Sequence, residues 1–63
     1  METTIIVMDC GVLGNQEFRV YYDQDGVTDV HLILIPGETE VYIMDELSPN
    51  AAEYLEARVQ ELV

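Results

Sequence analysis

The chain has no lysine and no tryptophan, and its 63 residues include one cysteine, two prolines and four glycines. Each shortage excludes something. Two arginines are the only permanently cationic side chains against thirteen acids, so the formal net charge is −11. Nucleic acids and anionic membrane surfaces are both bound through a basic footprint, and none is present. The lone Cys10 excludes an intrachain disulfide and any cysteine-based metal site built from one chain. In a strand it reads as a small buried hydrophobe, with a reactive or intermolecular thiol as the alternative. The opening Met-Glu-Thr-Thr-Ile-Ile-Val-Met-Asp carries no basic region, and its apolar run is too short for a signal peptide or a membrane span. A cytoplasmic protein is expected. With 49% hydrophobic residues the chain can still build a small core, and 63 residues suffice for one domain near the lower limit of independent folding.

The longest run of branched apolar residues, 27–35 (Val-Thr-Asp-Val-His-Leu-Ile-Leu-Ile), has the length and bounding turns of a central strand. Alternation places Thr28, Val30, Leu32 and Leu34 on one face and Asp29, His31, Ile33 and Ile35 on the other. Residues 3–10 read as a first strand, with Ile6, Met8 and Cys10 opposite Ile5, Val7 and Asp9. Residues 11–15 form a turn supplied with two glycines and an asparagine. Its Val12 and Leu13 either fold back over the end of the core or belong to a contact surface. Residues 16–23 alternate as a second strand, Phe18, Val20 and Tyr22 against Glu17, Arg19, Tyr21 and Asp23. Asp23-Gln24-Asp25-Gly26 makes a tight hairpin with Gly26 at a left-handed position. Pro36-Gly37 suits a type II turn, and residues 39–44 form a fourth strand with Val41 and Ile43 opposite Glu40, Tyr42 and Met44. Short connections favour an antiparallel meander.

The last segment predicts a helix. Ser48 is a good N-cap, Pro49 fits the first helical position, and Leu47 is placed to staple against Ala52. Ala51, Ala52, Leu55, Val59 and Leu62 form one apolar stripe, leaving Glu53, Glu56, Gln60 and Glu61 to solvent. The fold class is therefore α+β, a four-stranded antiparallel β-meander with one C-terminal helix packed on one face (ββββα). The covered face is expected to be Ile6, Met8, Phe18, Val20, Tyr22, Val30, Leu32, Leu34, Val41 and Ile43. The uncovered face would then display Ile5, Val7, Tyr21, Ile33, Ile35, Tyr42 and Met44, more apolar surface than scattered exposure explains. A homodimer through that face, or through a sheet edge, is expected.

Few residues offer chemistry. Residues 23–29 (Asp-Gln-Asp-Gly-Val-Thr-Asp) share part of a calcium-loop pattern, but the glycine comes two residues early and no helices flank it, so turn chemistry is the reading. His31 has no serine near it in sequence, and Cys10 falls on the opposite face, so a nucleophilic dyad is not supported. With so many acids, no carboxylate pair stands out as an acid–base site. A domain this thin leaves little room for a pocket of the usual size. Neither an enzyme nor a cofactor is expected.

Charge is what remains. The acids either keep the protein soluble, including at high salt, or face a basic partner whose complementarity offsets their mutual repulsion. The meander gathers Asp23, Asp25, Asp45 and Glu46 at one end and Glu38 and Glu40 at the other, with Asp29 on the uncovered face. These seven are the candidate partner-binding residues. Size, charge and architecture resemble those of small phage-encoded inhibitors of host nucleic-acid enzymes, including anti-CRISPR proteins, anti-restriction proteins and inhibitors of DNA repair. The resemblance is one of class, and no motif ties the chain to a named family. It implies a non-enzymatic inhibitor in the host cytoplasm that binds a basic, nucleic-acid-binding protein, by DNA mimicry or by simple blockage, with no direct contact to nucleic acid or membrane. The alternative is an assembly module that homo-oligomerises through the uncovered sheet face and is acidic only for solubility.

Overall fold

In the computed structural model residues 1–35 and 39–63 are described, with the backbone alone at Ile35. Four antiparallel strands, β1 (Glu2–Asp9), β2 (Asn15–Asp23), β3 (Gly26–Ile35) and β4 (Thr39–Tyr42), lie in the order β1-β2-β3-β4. A twelve-residue helix, α1 (Pro49–Gln60), follows and packs against β3. This is the expected ββββα meander. The expected Pro36-Gly37 turn and Glu38 lie outside the described residues.

The sheet is amphipathic because its strands alternate, and α1 covers one face because its own apolar residues recur every four. Ile6, Phe18, Val20, Tyr22 and Val30 from the sheet join Leu55 and Val59 from α1 in one buried cluster. Four of these, Val20, Val30, Leu55 and Val59, have no solvent contact at all. Helix entry follows the sequence: the Ser48 hydroxyl accepts the Ala51 N–H at 3.2 Å, and Pro49 sits in the first turn, where no intrahelical donor is needed. Leu47 is part-buried against the same cluster.

Two irregularities redirect side chains that strict alternation places wrongly. Between Tyr21 and Tyr22 the register slips, so that Tyr21 faces Asp29 and Tyr22 faces Val27, leaving Thr28 as an extra residue. This bulge reverses parity, and Val27 packs on the core instead of sharing the face of Asp29. The Thr28 hydroxyl donates to the Tyr21 carbonyl at 3.1 Å, so the irregular ladder is partly satisfied from within. A second slip between Ile33 and Ile35 leaves Leu34 unpaired against β4. Leu34 and Val41, expected beneath the helix, are exposed, because α1 covers the part of the sheet around Val20 and Val30.

Further expectations are corrected at the ends of elements. β4 stops at Tyr42, and a short 3-10 turn over Met44–Glu46 replaces its last residue. Ile43 keeps one ladder bond to the Val30 carbonyl at 3.0 Å and is part-buried against the core. Met44 packs on that core too, and so leaves the uncovered face to which alternation assigned it. Val12 and Leu13, in the 3-10 turn Gly11–Leu13, do not fold back; both project into solvent. Leu62 lies beyond α1 and is exposed.

Glu56, expected in solvent, is instead half-buried over the β2–β3 hairpin. Its carboxylate accepts the Val27 N–H at 3.2 and 3.3 Å. Gly26 passes directly beneath with φ 125°, and a Cβ there would lie 2.6 Å from Glu56 Oε1. Glycine is required at that position by the backbone conformation, whereas the Glu56 carboxylate, at the end of a flexible side chain, can shift to admit a Cβ.

Leu55→Ala should cost about 3 kcal/mol, as buried leucine truncations do. For a fold holding roughly 0.05–0.15 kcal/mol per residue, that is a third or more of the total stability. Urea titration followed by circular dichroism reads the loss directly. Glu56→Ala should cost about 1–2 kcal/mol by leaving the Val27 N–H without its acceptor; an unchanged urea midpoint would show the contact to be incidental.

Candidate functional site

The face turned away from α1 is organised in rows across the strands. Ile5, Arg19, His31 and Tyr42 form one row, Val7, Glu17, Ile33 and Glu40 the next, and Thr3, Tyr21 and Asp29 a third. At its centre Glu40 holds two neighbours at once. Its Oε2 lies 2.9 Å from Arg19 Nε and its Oε1 lies 3.3 Å from His31 Nδ1. The His31 ring is flanked by Tyr21 at 5.2 Å and by Tyr42 at 5.8 Å, the latter edge-on at 83°. A half-exposed ion pair of this kind stabilises little, but the carboxylate and the two tyrosines together fix the orientation of the histidine.

This arrangement divides the candidate acids by role. Glu40 is neutralised internally, and therefore does not contribute a free charge. Asp29 sits half-buried opposite Tyr21, and Asp45 and Glu46 are exposed in the turn after β4. All three act on the Tyr42 phenol: partial desolvation, then the carboxylates of Asp45, Asp29 and Glu46, hold its pKa above the ordinary 10.0. The negative charge of three acids is thus felt at one half-exposed phenol at the β3–β4 edge. Asp23 and Asp25 form a separate group at the β2–β3 hairpin, where the Asp23 carboxylate accepts the Asp25 N–H at 2.8 Å as in ordinary turn chemistry. With Glu2 and Tyr22 they border an open groove of about 470 Å³. Glu38 lies outside the described residues.

Both arginines are engaged by the chain's own acids, Arg19 by Glu40 and Arg58 by Glu61 at 3.7 Å. With no lysine in the sequence, no other permanently charged side chain is available to offset the Tyr42 group.

The candidate oligomer residues also separate. Ile5, Val7 and Tyr42 are exposed on the open face, and Tyr21 is half-buried. Ile33 lies on that face, between Glu17 and Glu40 in the register, yet is only 7% exposed. It therefore offers little surface to a partner. Met44 belongs to the other face, and the side chain of Ile35 lies outside the described residues.

The fold makes more concave surface than its thinness suggests. A groove of about 590 Å³ runs between the end of β1 and the start of α1, lined by Met8, Cys10, Ala51 and Tyr54 among others. Its chemistry is sparse. The Cys10 thiol points to the Met8 carbonyl at 3.7 Å, and the Asp9 carboxylate accepts the Gly11 N–H at 2.9 Å. Among the described residues no three His, Cys, Asp or Glu side chains are grouped to hold a metal ion, and no helix is long and apolar enough to cross a membrane.

No protein-family model, curated protein or solved structure matches the chain. Its site is therefore read from its own residues.

Because the folded chain holds the Tyr42 proton more tightly than an unfolded chain does, ionisation of this group should leave stability unaffected well below pH 10 and lower it as the pH rises past 10. Among the four tyrosine ring titrations followed by NMR, that of Tyr42 should lie above the ordinary 10.0. In Asp45→Asn it should move back only in part, because desolvation remains.

Proposed function

We propose that the chain is a non-enzymatic acidic inhibitor that occupies a basic, nucleic-acid-binding surface of another protein, in the manner of phage-type anti-CRISPR or anti-restriction proteins. One observation carries the reading. Asp29, Asp45 and Glu46 all act electrostatically on half-exposed Tyr42, while both arginines of the chain are already paired with Glu40 and Glu61. Like charges held together on a small rigid body repel, and the repulsion is relieved when a positive surface meets them. Lysine and arginine side chains that otherwise meet phosphates supply that surface. Arginine in particular pairs with carboxylates and lies on aromatic faces. Asp23 and Asp25 at the hairpin extend the same negative field. The partner is a basic protein, and neither nucleic acid nor membrane is touched directly.

The test has two stages. Tagged protein captures its partner from bacterial lysate at low and at moderate salt, and the recovered protein is then challenged with double-stranded DNA. The expected result is a nucleic-acid-binding protein whose capture weakens with salt and whose DNA binding the acidic chain displaces. Asp29→Asn/Asp45→Asn/Glu46→Gln should weaken the complex about tenfold or more, each charged hydrogen bond being worth about 1.5–3 kcal/mol. Glu53→Gln on the exposed side of α1 should leave it nearly unchanged. A partner bound equally at all salt concentrations, or one still able to bind DNA in the complex, would refute the proposal.

A further inference from the structure

The two edges of the sheet are built differently. β4 is four residues long, carries Glu40, and meets β3 through a bulge. Short length, charge and irregularity are the usual ways of keeping an edge from pairing with other chains. β1 is neither short nor irregular, and its two charges, Glu2 and Asp9, stand only at its ends. It runs for eight residues in unbroken register with β2, and residues 3–8, Thr-Thr-Ile-Ile-Val-Met, carry no charge in a chain with thirteen acids.

The free backbone groups of that edge can be identified. Cys10 N–H donates to the Gly14 carbonyl at 2.8 Å, which continues the register that pairs Met8 with Gln16 and Ile6 with Phe18. Antiparallel ladders alternate, so the even-numbered residues of β1 bond inward to β2. The N–H and C=O groups of Thr3, Ile5, Val7 and Asp9 therefore point outward. The side chains of Ile5 and Val7 stand on the open face, 44% and 52% exposed.

We infer that β1 is a dimer seam, at which the β1 of a second copy adds antiparallel to form one eight-stranded sheet. Unpaired strand groups fix the chemistry of the occupant as another extended strand, and the register selects the chain itself. Centred on Ile6, the pairing sets Ile5 against Val7 of the second copy, and Val7 against Ile5. Thr3 faces Asp9, and Thr4 faces Met8. The outward-pointing residues then meet one another, closing about eight backbone hydrogen bonds. No acid stands directly opposite an acid. Glu2 and the second copy's Asp9 become neighbours only across the sheet, on opposite faces, so the seam is where two strongly negative chains meet with least repulsion. Assembly stops at two, because both outer edges are then the short, bulged β4.

Sedimentation velocity over a concentration series reads the mass. The expected species is twice the 7.2 kDa chain. Ile5→Pro removes an outward N–H and leaves the β1–β2 ladder intact, as edge prolines do. It should stay folded by circular dichroism and run at 7.2 kDa. Hydrogen exchange of the unmodified chain gives an answer independent of any variant: the Thr3, Ile5 and Val7 amides should be protected, and more so at higher concentration. A wild-type monomer throughout the series, species larger than a dimer, a folded Ile5→Pro dimer, or rapid concentration-independent exchange of those three amides would each overturn the inference.

Discussion

Everything else in this fold depends on one contact, that of Leu55 and Val59 with Val20 and Val30. Among the described residues these are the four side chains with no solvent exposure, and they join α1 to the two central strands. Neither partner stands alone. A twelve-residue helix is marginal in water, and a single-layer sheet without a covering helix leaves its apolar core face to water. With a core this small, the arrangement of the polar groups around it is correspondingly constrained. The bulge at Thr28 illustrates the constraint. It turns Val27 inward to complete the core and keeps Asp29 outward beside Tyr21, and the Val27 N–H is then received by Glu56 from the helix. One carboxylate thus ties the hairpin to α1 at the end of the sheet where Gly26 leaves room for it.

Element type and order were legible in the sequence because they rest on strong periodic signals. Phe18, Val20 and Tyr22 alternate without interruption, and Leu55 and Val59 recur at helical spacing after Ser48 and Pro49. The failures have two main causes: alternation assumes a fixed parity, which the bulge at Thr28 changes, and it does not say how far the helix reaches, which leaves Leu34 and Val41 exposed. Nothing local distinguishes Thr28 or Leu34 as an inserted residue, since both have good strand propensity. Met44 failed for a related reason, because a strand that ends two residues early lets the chain turn and carry its next apolar side chain to the opposite face. The role of Glu56 could not be seen either. It sits one position from Leu55 on the helix, and only the three-dimensional path of the hairpin brings an unsatisfied amide to it.

The candidate site was half legible. Acids were abundant enough that sequence alone could group them only by the ends of the strands. The structure separates them by the groups they bond or influence. Glu40 is committed to Arg19 and His31, and Asp23 accepts a turn amide, whereas Asp29, Asp45 and Glu46 bear on a tyrosine ring. What distinguishes the last group is the lack of a cation, which follows from a count of two arginines and from where the fold places them.

The same carboxylates that suit a basic partner also load the free chain with repulsion, and salt separates the two effects. Screening over about 8 Å at physiological ionic strength weakens repulsion within the monomer and attraction between partners alike, so salt favours the free fold while it disfavours the complex. Backbone pairing along a strand that is charged only at its two ends responds differently. Its hydrogen bonds and apolar side-chain contacts carry no net charge at the seam, and screening reduces the only force that opposes them, the long-range repulsion between two chains of charge −11. The acidic edge at Tyr42 and the neutral edge at β1 therefore respond oppositely to one variable. They are also the two opposite edges of a single sheet, so a second copy on β1 leaves the acids beside β4 facing outward at both ends.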